Sequence, residues 1–181
     1  PAKNDIAKKS GQGHFLRRKS IPILREEIAG MIEDYGCEFL YINDDAFMAR
    51  PKTENLAMAK MLKEFSLPFW FQTRFEDITE LTLEAMKDAG CYRISFGLEH
   101  GNEEYRKKRL LRNISNEKIL KQAGIVKKVG IPYTINILIG MPYETRELVF
   151  ETLDLIKEID SWDALSVNTF VPYHGTILRR N

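Results

Sequence analysis

Residues 84–101, EAMKDAGCYRISFGLEHG, hold the pattern that repeats along the whole chain. A helical tail with Met86 ends at Gly90, an apolar strand runs from Cys91, and the strand turns polar at Glu99-His100. Glycine suits the stop because it takes the left-handed conformation past a helix end without a Cβ penalty. The same helix-to-strand junction recurs at Gly36-Cys37 and Gly130-Ile131.

Working outward, strand-like runs rich in β-branched and aromatic residues start near positions 37, 68, 91, 132 and 164. They read CEFLYIND, PFWFQTR, CYRISFGLE, IPYTINILIG and ALSVNTFVP. Between them lie stretches with apolar residues three, four or seven apart, the helical period. The first helix begins near Ser20, with Pro22 in its first turn and Ile21, Leu24, Ile28, Met31 and Ile32 on one side. Thr53, Thr79, Ser115 and Thr145 are expected to open the following helices. EEYRKKRLLRN, in the connection from Glu99 to Ser115, suggests a short extra helix. Residues 1–12 show no periodicity and are expected to form a mobile or extended arm, with one domain over 13–181. An alternating βα series predicts a parallel α/β sheet, either a barrel or a doubly wound sheet.

Composition bounds the function. The chain has 181 residues, 44% of them apolar and 29% charged, as in an ordinary globular domain. With 27 basic and 26 acidic residues, the net charge of +1 gives no global pull toward nucleic acid or a membrane. Apolar runs such as Ile135–Met141 are too short to span a bilayer. The two cysteines, Cys37 and Cys91, form neither a metal motif nor a disulfide framework and read as small buried hydrophobes at strand starts. Together with the lack of a secretory signal, they suggest a cytoplasmic protein.

The polar residues sit at the strand ends: Asn43-Asp44-Asp45, Gln72-Thr73-Arg74, Glu99-His100, Gly140-Met141-Pro142 with Glu144, and Pro172-Tyr173-His174. In parallel α/β folds the ligand site lies at that edge. Asn136 and Asn168 interrupt runs that should be buried, and a buried amide needs hydrogen-bond partners, such as a barrel lumen or a ligand supplies.

FGLEHGNEEYRKKRLLRNISNE, INILIGMPYETRELVFET and FVPYHGT, in that order, resemble the second half of radical S-adenosylmethionine (radical SAM) enzymes. The particular likeness is to the subgroup with an N-terminal cobalamin-binding domain, and GHFLRRKSIPILREEI resembles the segment after that subgroup's cluster cysteines. The resemblance runs from about Gly11 to Arg180 and implies strands two to six of a partial (β/α)6 TIM-like barrel, a parallel sheet with outer helices. It implies that Asn43, Asp44 and Asp45 lie near the amino group of S-adenosylmethionine and Glu99 near its ribose or methionine part. By the same likeness, Asn136, Gly140 and Met141 approach the adenine while Glu144 supports the turn, and Val171, Pro172 and Tyr173 are a further adenine contact. Gln72 and Arg74 are assigned to substrate, cobalamin or the cofactor carboxylate.

The family's CxxxCxxC loop is absent from this sequence. Its three thiolates hold a four-iron–four-sulfur (4Fe-4S) cluster, which cleaves S-adenosylmethionine to methionine and a 5′-deoxyadenosyl radical. The resemblance therefore implies a piece of a larger polypeptide, inactive alone, whose partner is an upstream cobalamin-binding domain. An isolated piece with an exposed sheet edge is expected to self-associate.

Two other readings remain. One is a metal-dependent αβ-barrel lyase or hydrolase using His100, His174, Glu99 and Asp44, although no HxH or HExxH spacing supports it. The other is a non-catalytic module that keeps the binding edge. The basic clusters Arg17-Arg18-Lys19 and Arg106–Arg109 read as solvated faces rather than a nucleic-acid surface, because base-stacking aromatics are sparse there.

Overall fold

The computed structural model describes residues 18–173. They fall into two units, one before and one after the Cys37–Glu38 junction. The expected arm at 1–12, the first five residues of the GHFLRRKSIPILREEI match (13–17), and His174 lie outside the described residues.

The first unit carries helix α1 (Ile21–Tyr35). Ser20 occupies the N-cap position, a proline lies in the first turn, and Gly36 closes the helix at φ 62°. The Gly36 amide donates to Ile32 O and the Cys37 amide to Met31 O, satisfying carbonyls that a bare helix end would leave open.

The second unit contains strands β1 (Leu40–Ile42), β2 (Phe69–Thr73), β3 (Cys91–Glu99), β4 (Tyr133–Ile139) and β5 (Ala164–Thr169). They form one parallel sheet in the order β1-β2-β3-β4-β5. The connecting helices are α2 (Lys52–Phe65), α3 (Glu80–Asp88), α4 (Glu103–Arg109), α5 (Asn116–Val129) and α6 (Arg146–Glu158). Thr79, Ser115 and Thr145 cap α3, α5 and α6 with their side chains, and the short extra helix is α4.

Some boundaries differ from expectation. Pairing of β1 with β2 begins at Leu40↔Phe69, so the first strand is shorter than CEFLYIND. Pro51 rather than Thr53 opens α2, because the amides of Glu54 and Asn55 both close on Pro51 O. The last strand stops at Thr169, short of Val171 and Pro172.

Side-chain parity divides the sheet into two chemically different faces. Phe69, Phe71, Ile94, Phe96, Tyr133 and Ile135 are fully buried on one face. There Phe75 stacks on Phe96 at 4.3 Å, and Tyr133 meets Phe96 edge-on at 5.6 Å. Met48, Met58, Met61 and Met86 fill the same core. The other face carries Tyr41, Trp70, Gln72, Arg93, Ser95, Thr134, Asn136 and Ser166, brought side by side by the register. Hydrogen bonds tie this polar face together: Trp70 Nε1 donates to Ser95 Oγ at 2.9 Å, Gln72 Nε2 to Tyr41 Oη at 2.8 Å, and Arg93 Nη1 to Thr134 Oγ1 at 3.2 Å. Asn168, expected to be buried, is exposed because β5 is the last strand of the sheet.

The connection from β3 to α5 departs most from the sequence reading. Arg106 is not part of a solvated basic face: it is fully buried. Its Nη1 donates to His100 O at 2.6 Å and Gly101 O at 2.9 Å, and its Nη2 to Ile114 O at 3.0 Å and Asn116 Oδ1 at 2.5 Å. Gly101 packs so tightly on α6 that a Cβ there would lie 2.3 Å from Thr152 Cα. Its amide donates to Thr152 Oγ1 at 2.8 Å.

Arg106→Leu removes the side-chain donor to His100 O and Ile114 O in the interior, while Gly101 O keeps the Asn116 side-chain amide. It is expected to destabilise the chain by about 2 kcal/mol or more, at about 1–3 kcal/mol per orphaned group. Lys107→Ala, in the exposed part of the same run, is expected to stay within about 0.5 kcal/mol of wild type. Urea unfolding followed by circular dichroism separates the two.

Candidate functional site

Because all strands run parallel, their carboxyl ends meet at one edge, where an open cleft of about 440 Å³ is lined by Asp45, Gln72, Thr73, Arg74, Gly97, Glu99, Arg112, Asn136, Ser166 and Asn168. Of the residues selected from sequence, Asp45, Gln72, Arg74, Glu99 and Asn136 are brought together here.

Glu99 occupies the strained end of β3. Its backbone has φ 67°, a conformation that non-glycine residues rarely adopt, and the register with β4 slips between Gly97 and Glu99. The carboxylate folds back over Gly97, where an added Cβ would meet Glu99 Oε1 at 2.5 Å. Burial pushes the Glu99 carboxyl above the ordinary range, and the Arg112 guanidinium, 3.9 Å away, opposes that shift.

Arg112 and Glu76 were not anticipated from sequence. Arg112 Nη1 donates to Gly97 O at 2.8 Å, while Nη2 reaches both Glu76 carboxylate oxygens at 3.1 and 2.9 Å. This fork joins the ends of β2 and β3, a geometry for which arginine is suited. Arg74 is held in a similar way: Nε and Nη2 donate to Asp77 at 2.7 and 3.0 Å. The cleft thus presents two carboxylates, Asp45 and Glu99, two guanidinium groups and several amide and hydroxyl groups.

The other selected residues lie elsewhere. Asn43 is exposed beyond β1, outside the cleft lining. Asp44 accepts from Arg50 Nη2 at 2.9 Å and from the Ala46 amide at 3.2 Å, closing its own turn. Gly140, at φ 77°, and buried Met141 form the turn after β4. Glu144 Oε2 accepts from the amides of Gly140 and Met141 at 2.5 and 3.3 Å. Val171 and Tyr173 are 67% and 84% exposed, and neither they nor Pro172 line the cleft.

Cys91 is buried and its thiol is pushed up to about 12, so it is a neutral packing group. Cys37 belongs to the first unit. Among the described residues no three His, Cys, Asp or Glu side chains are placed to share a metal ion. The described residues therefore do not fit a four-iron–four-sulfur cluster. They also give no support to the His–Glu–Asp metal site, whose His174 lies outside the described residues. No helix among the described residues is long and apolar enough to cross a membrane.

A polar cleft at the carboxyl edge of a parallel βα sheet defines a class, and the sequence comparison identifies it. The profile of the Radical SAM superfamily matches residues 10–156, and the chain belongs to that superfamily. An uncharacterised methyltransferase of Pyrococcus horikoshii is 26% identical over 171 residues, which cover 92% of this chain and 36% of the relative. Cytidylyl-2-hydroxyethylphosphonate methyltransferase of Streptomyces wedmorensis is 24% identical over 132 residues, covering 72% of this chain and 24% of the relative. The chain thus spans about a third or less of these relatives. Among solved structures, the radical S-adenosylmethionine methyltransferase TsrM of Kitasatospora setae, with cobalamin and a [4Fe-4S] cluster bound, superposes with a TM-score of 0.66 at 17% identity, over 83% of this chain and 31% of that one. The fold is therefore part of a TIM-like barrel.

The raised carboxyl of Glu99 has a stability consequence. A folded-state carboxyl harder to ionise than the unfolded one stabilises the fold below the unfolded value and loses that contribution as pH rises through the folded value. Glu99→Gln is expected to raise the urea midpoint at neutral pH, the gain shrinking as pH falls toward about 4.3, the ordinary glutamate value. Unfolding curves at a series of pH values test this.

Proposed function

We propose that this chain is the S-adenosylmethionine-binding part of a radical SAM enzyme, with a cobalamin-dependent methyltransferase as the preferred type. The observation that carries the reading is the convergence of Asp45, Gln72, Arg74, Glu99 and Asn136 on one cleft in a chain of this superfamily. The methyltransferase relatives, and the cobalamin bound in TsrM, support the finer part.

The donor set suits a zwitterionic nucleoside. In this reading the carboxylates of Glu99 and Asp45 face the amino group or ribose hydroxyls, through charge-assisted hydrogen bonds. Arg74, with Gln72, faces a carboxylate of cofactor or substrate. The Asn136 amide and the turn at Gly140 and Met141 serve the adenine edge, with Glu144 holding the turn, and the segment Val171–Tyr173 reaches the same ring. Asn43 and Asp44 shape the loop that carries Asp45. A reduced cluster beside bound S-adenosylmethionine would supply the one electron that cleaves its sulfonium. This chain's own residues bind and orient that molecule, and the cluster ligands come from elsewhere in the polypeptide. The isolated chain is accordingly inactive. With β1 and β5 as the outer strands of the sheet, it is also prone to self-association.

The decisive experiment takes the longer polypeptide, reconstituted anaerobically with iron and sulfide. Cleavage of S-adenosylmethionine on reduction is expected, and Glu99→Ala is expected to slow it about tenfold or more, the worth of one hydrogen bond to a charged group. An upstream sequence without CxxxCxxC overturns the reading. For the isolated chain, sedimentation velocity is expected to show a concentration-dependent dimer, and a strictly monomeric profile removes the self-association claim.

A further inference from the structure

The His100 imidazole is fully buried just past the end of β3, and two of its contacts determine its chemistry. The Asn102 amide donates to Nδ1 at 3.0 Å, so Nδ1 must carry a lone pair. A neutral ring then has its proton on Nε2. Nε2 lies 3.4 Å from Glu144 Oε1 and finds no hydrogen-bond partner at regular distance, and Oε1 is likewise buried without one. Leaving both unmade is costly in the interior, and a contraction of about 0.4 Å brings them to ordinary hydrogen-bond length. The other oxygen of the same carboxylate holds the Gly140 and Met141 amides.

The surroundings fix the ring and oppose its ionisation. Tyr105 stacks on it at 4.3 Å and donates its hydroxyl to Pro142 O at 2.7 Å, tying α4 to the same turn. The Arg106 guanidinium donates to His100 O at 2.6 Å and brings a positive charge close. Burial holds the imidazole below its ordinary range, with Glu144 and Glu151 acting the other way.

We propose that His100 is a positioning residue: as its Nε2–H tautomer it donates to Glu144 Oε1 and thereby aims the carboxylate that shapes the Gly140–Met141 turn, so the end of β3 sets the geometry of the end of β4. The consequence for cofactor affinity rests on the function proposed above, whereas the hydrogen bond itself does not. At this position, FGLEHG places an imidazole whose two nitrogens face two different loops.

The test uses the 181-residue chain labelled with 15N histidine. A bare Nδ1 and a protonated Nε2 are expected at neutral pH, and an Nδ1–H tautomer or an imidazolium overturns the proposal. His100→Phe keeps the ring stack and removes the donor. It is expected to speed amide hydrogen exchange at Gly140 and Met141 about tenfold or more, the loss of one bond to a charged acceptor. His100→Gln, which keeps an N–H at the Nε2 position, is expected to restore most of the protection. Equal exchange in wild type and His100→Phe overturns the proposal. Should His100→Phe not fold, the wild-type ring spectrum together with His100→Gln decides. Calorimetry with S-adenosylmethionine runs in parallel: a wild-type chain that fails to bind it counts against the cofactor reading, and the spectroscopic result still judges His100.

Discussion

Arg106 donates from its two terminal nitrogens to acceptors on residues 100, 101, 114 and 116, and this one side chain sets the course of the connection between β3 and α5. The acceptors are mostly main-chain carbonyls of a segment with little regular structure, the groups that cannot be buried without a donor. A guanidinium answers this need well, because its donors are spread in a plane and it stays charged. With the connection fixed, Arg112 reaches back to Gly97 O and Glu76, and His100 is held against Glu144. The cleft-facing end of β3 therefore depends on a charge buried behind it.

Much of this architecture was readable in the chain itself. Capping residues before periodic stretches and glycines after them mark real helix ends at Thr79, Ser115, Thr145, Gly36 and Gly130. The alternation Phe69-Trp70-Phe71 separates two faces, since β parity is a local property. The convergence of Gln72, Glu99 and Asn136 follows from parallel topology once strand ends are located, because every strand delivers its carboxyl end to the same edge.

What was not readable is partnership. Arg106 sits in the run RKKR beside exposed Lys107, Lys108 and Arg109, and no periodicity marks it as the buried one. Arg112 and Glu76 lie 36 residues apart, and only the fold shows them as a pair. Asp44 and Asp45 are adjacent and identical in type, yet Asp44 is committed to Arg50 while Asp45 lines the cleft. Neighbouring residues in a turn diverge in direction, and pattern alone does not say which one faces a ligand. Asn168 shows the opposite error: its apolar neighbours suggest burial, but an edge strand has no second flank to cover it.

One point of backbone strain in this molecule coincides with the cleft. Four non-glycine residues among those described have positive φ: Ser66, Glu99, Leu111 and Tyr143. Ser66 is an ordinary helix terminus at the C-cap of α2. Glu99 ends β3, and Leu111 and Tyr143 lie in the connections that follow β3 and β4. A left-handed non-glycine residue costs about 1–3 kcal/mol and persists where surrounding structure over-determines it. At Glu99 this adds to a second cost, the desolvation that raises its carboxyl. A glycine and an amide would be the easier choices for folding alone. A carboxylate kept in a strained, half-desolvated position gains most from a cationic or hydroxyl-bearing partner, because that partner offsets a penalty the folded chain already carries.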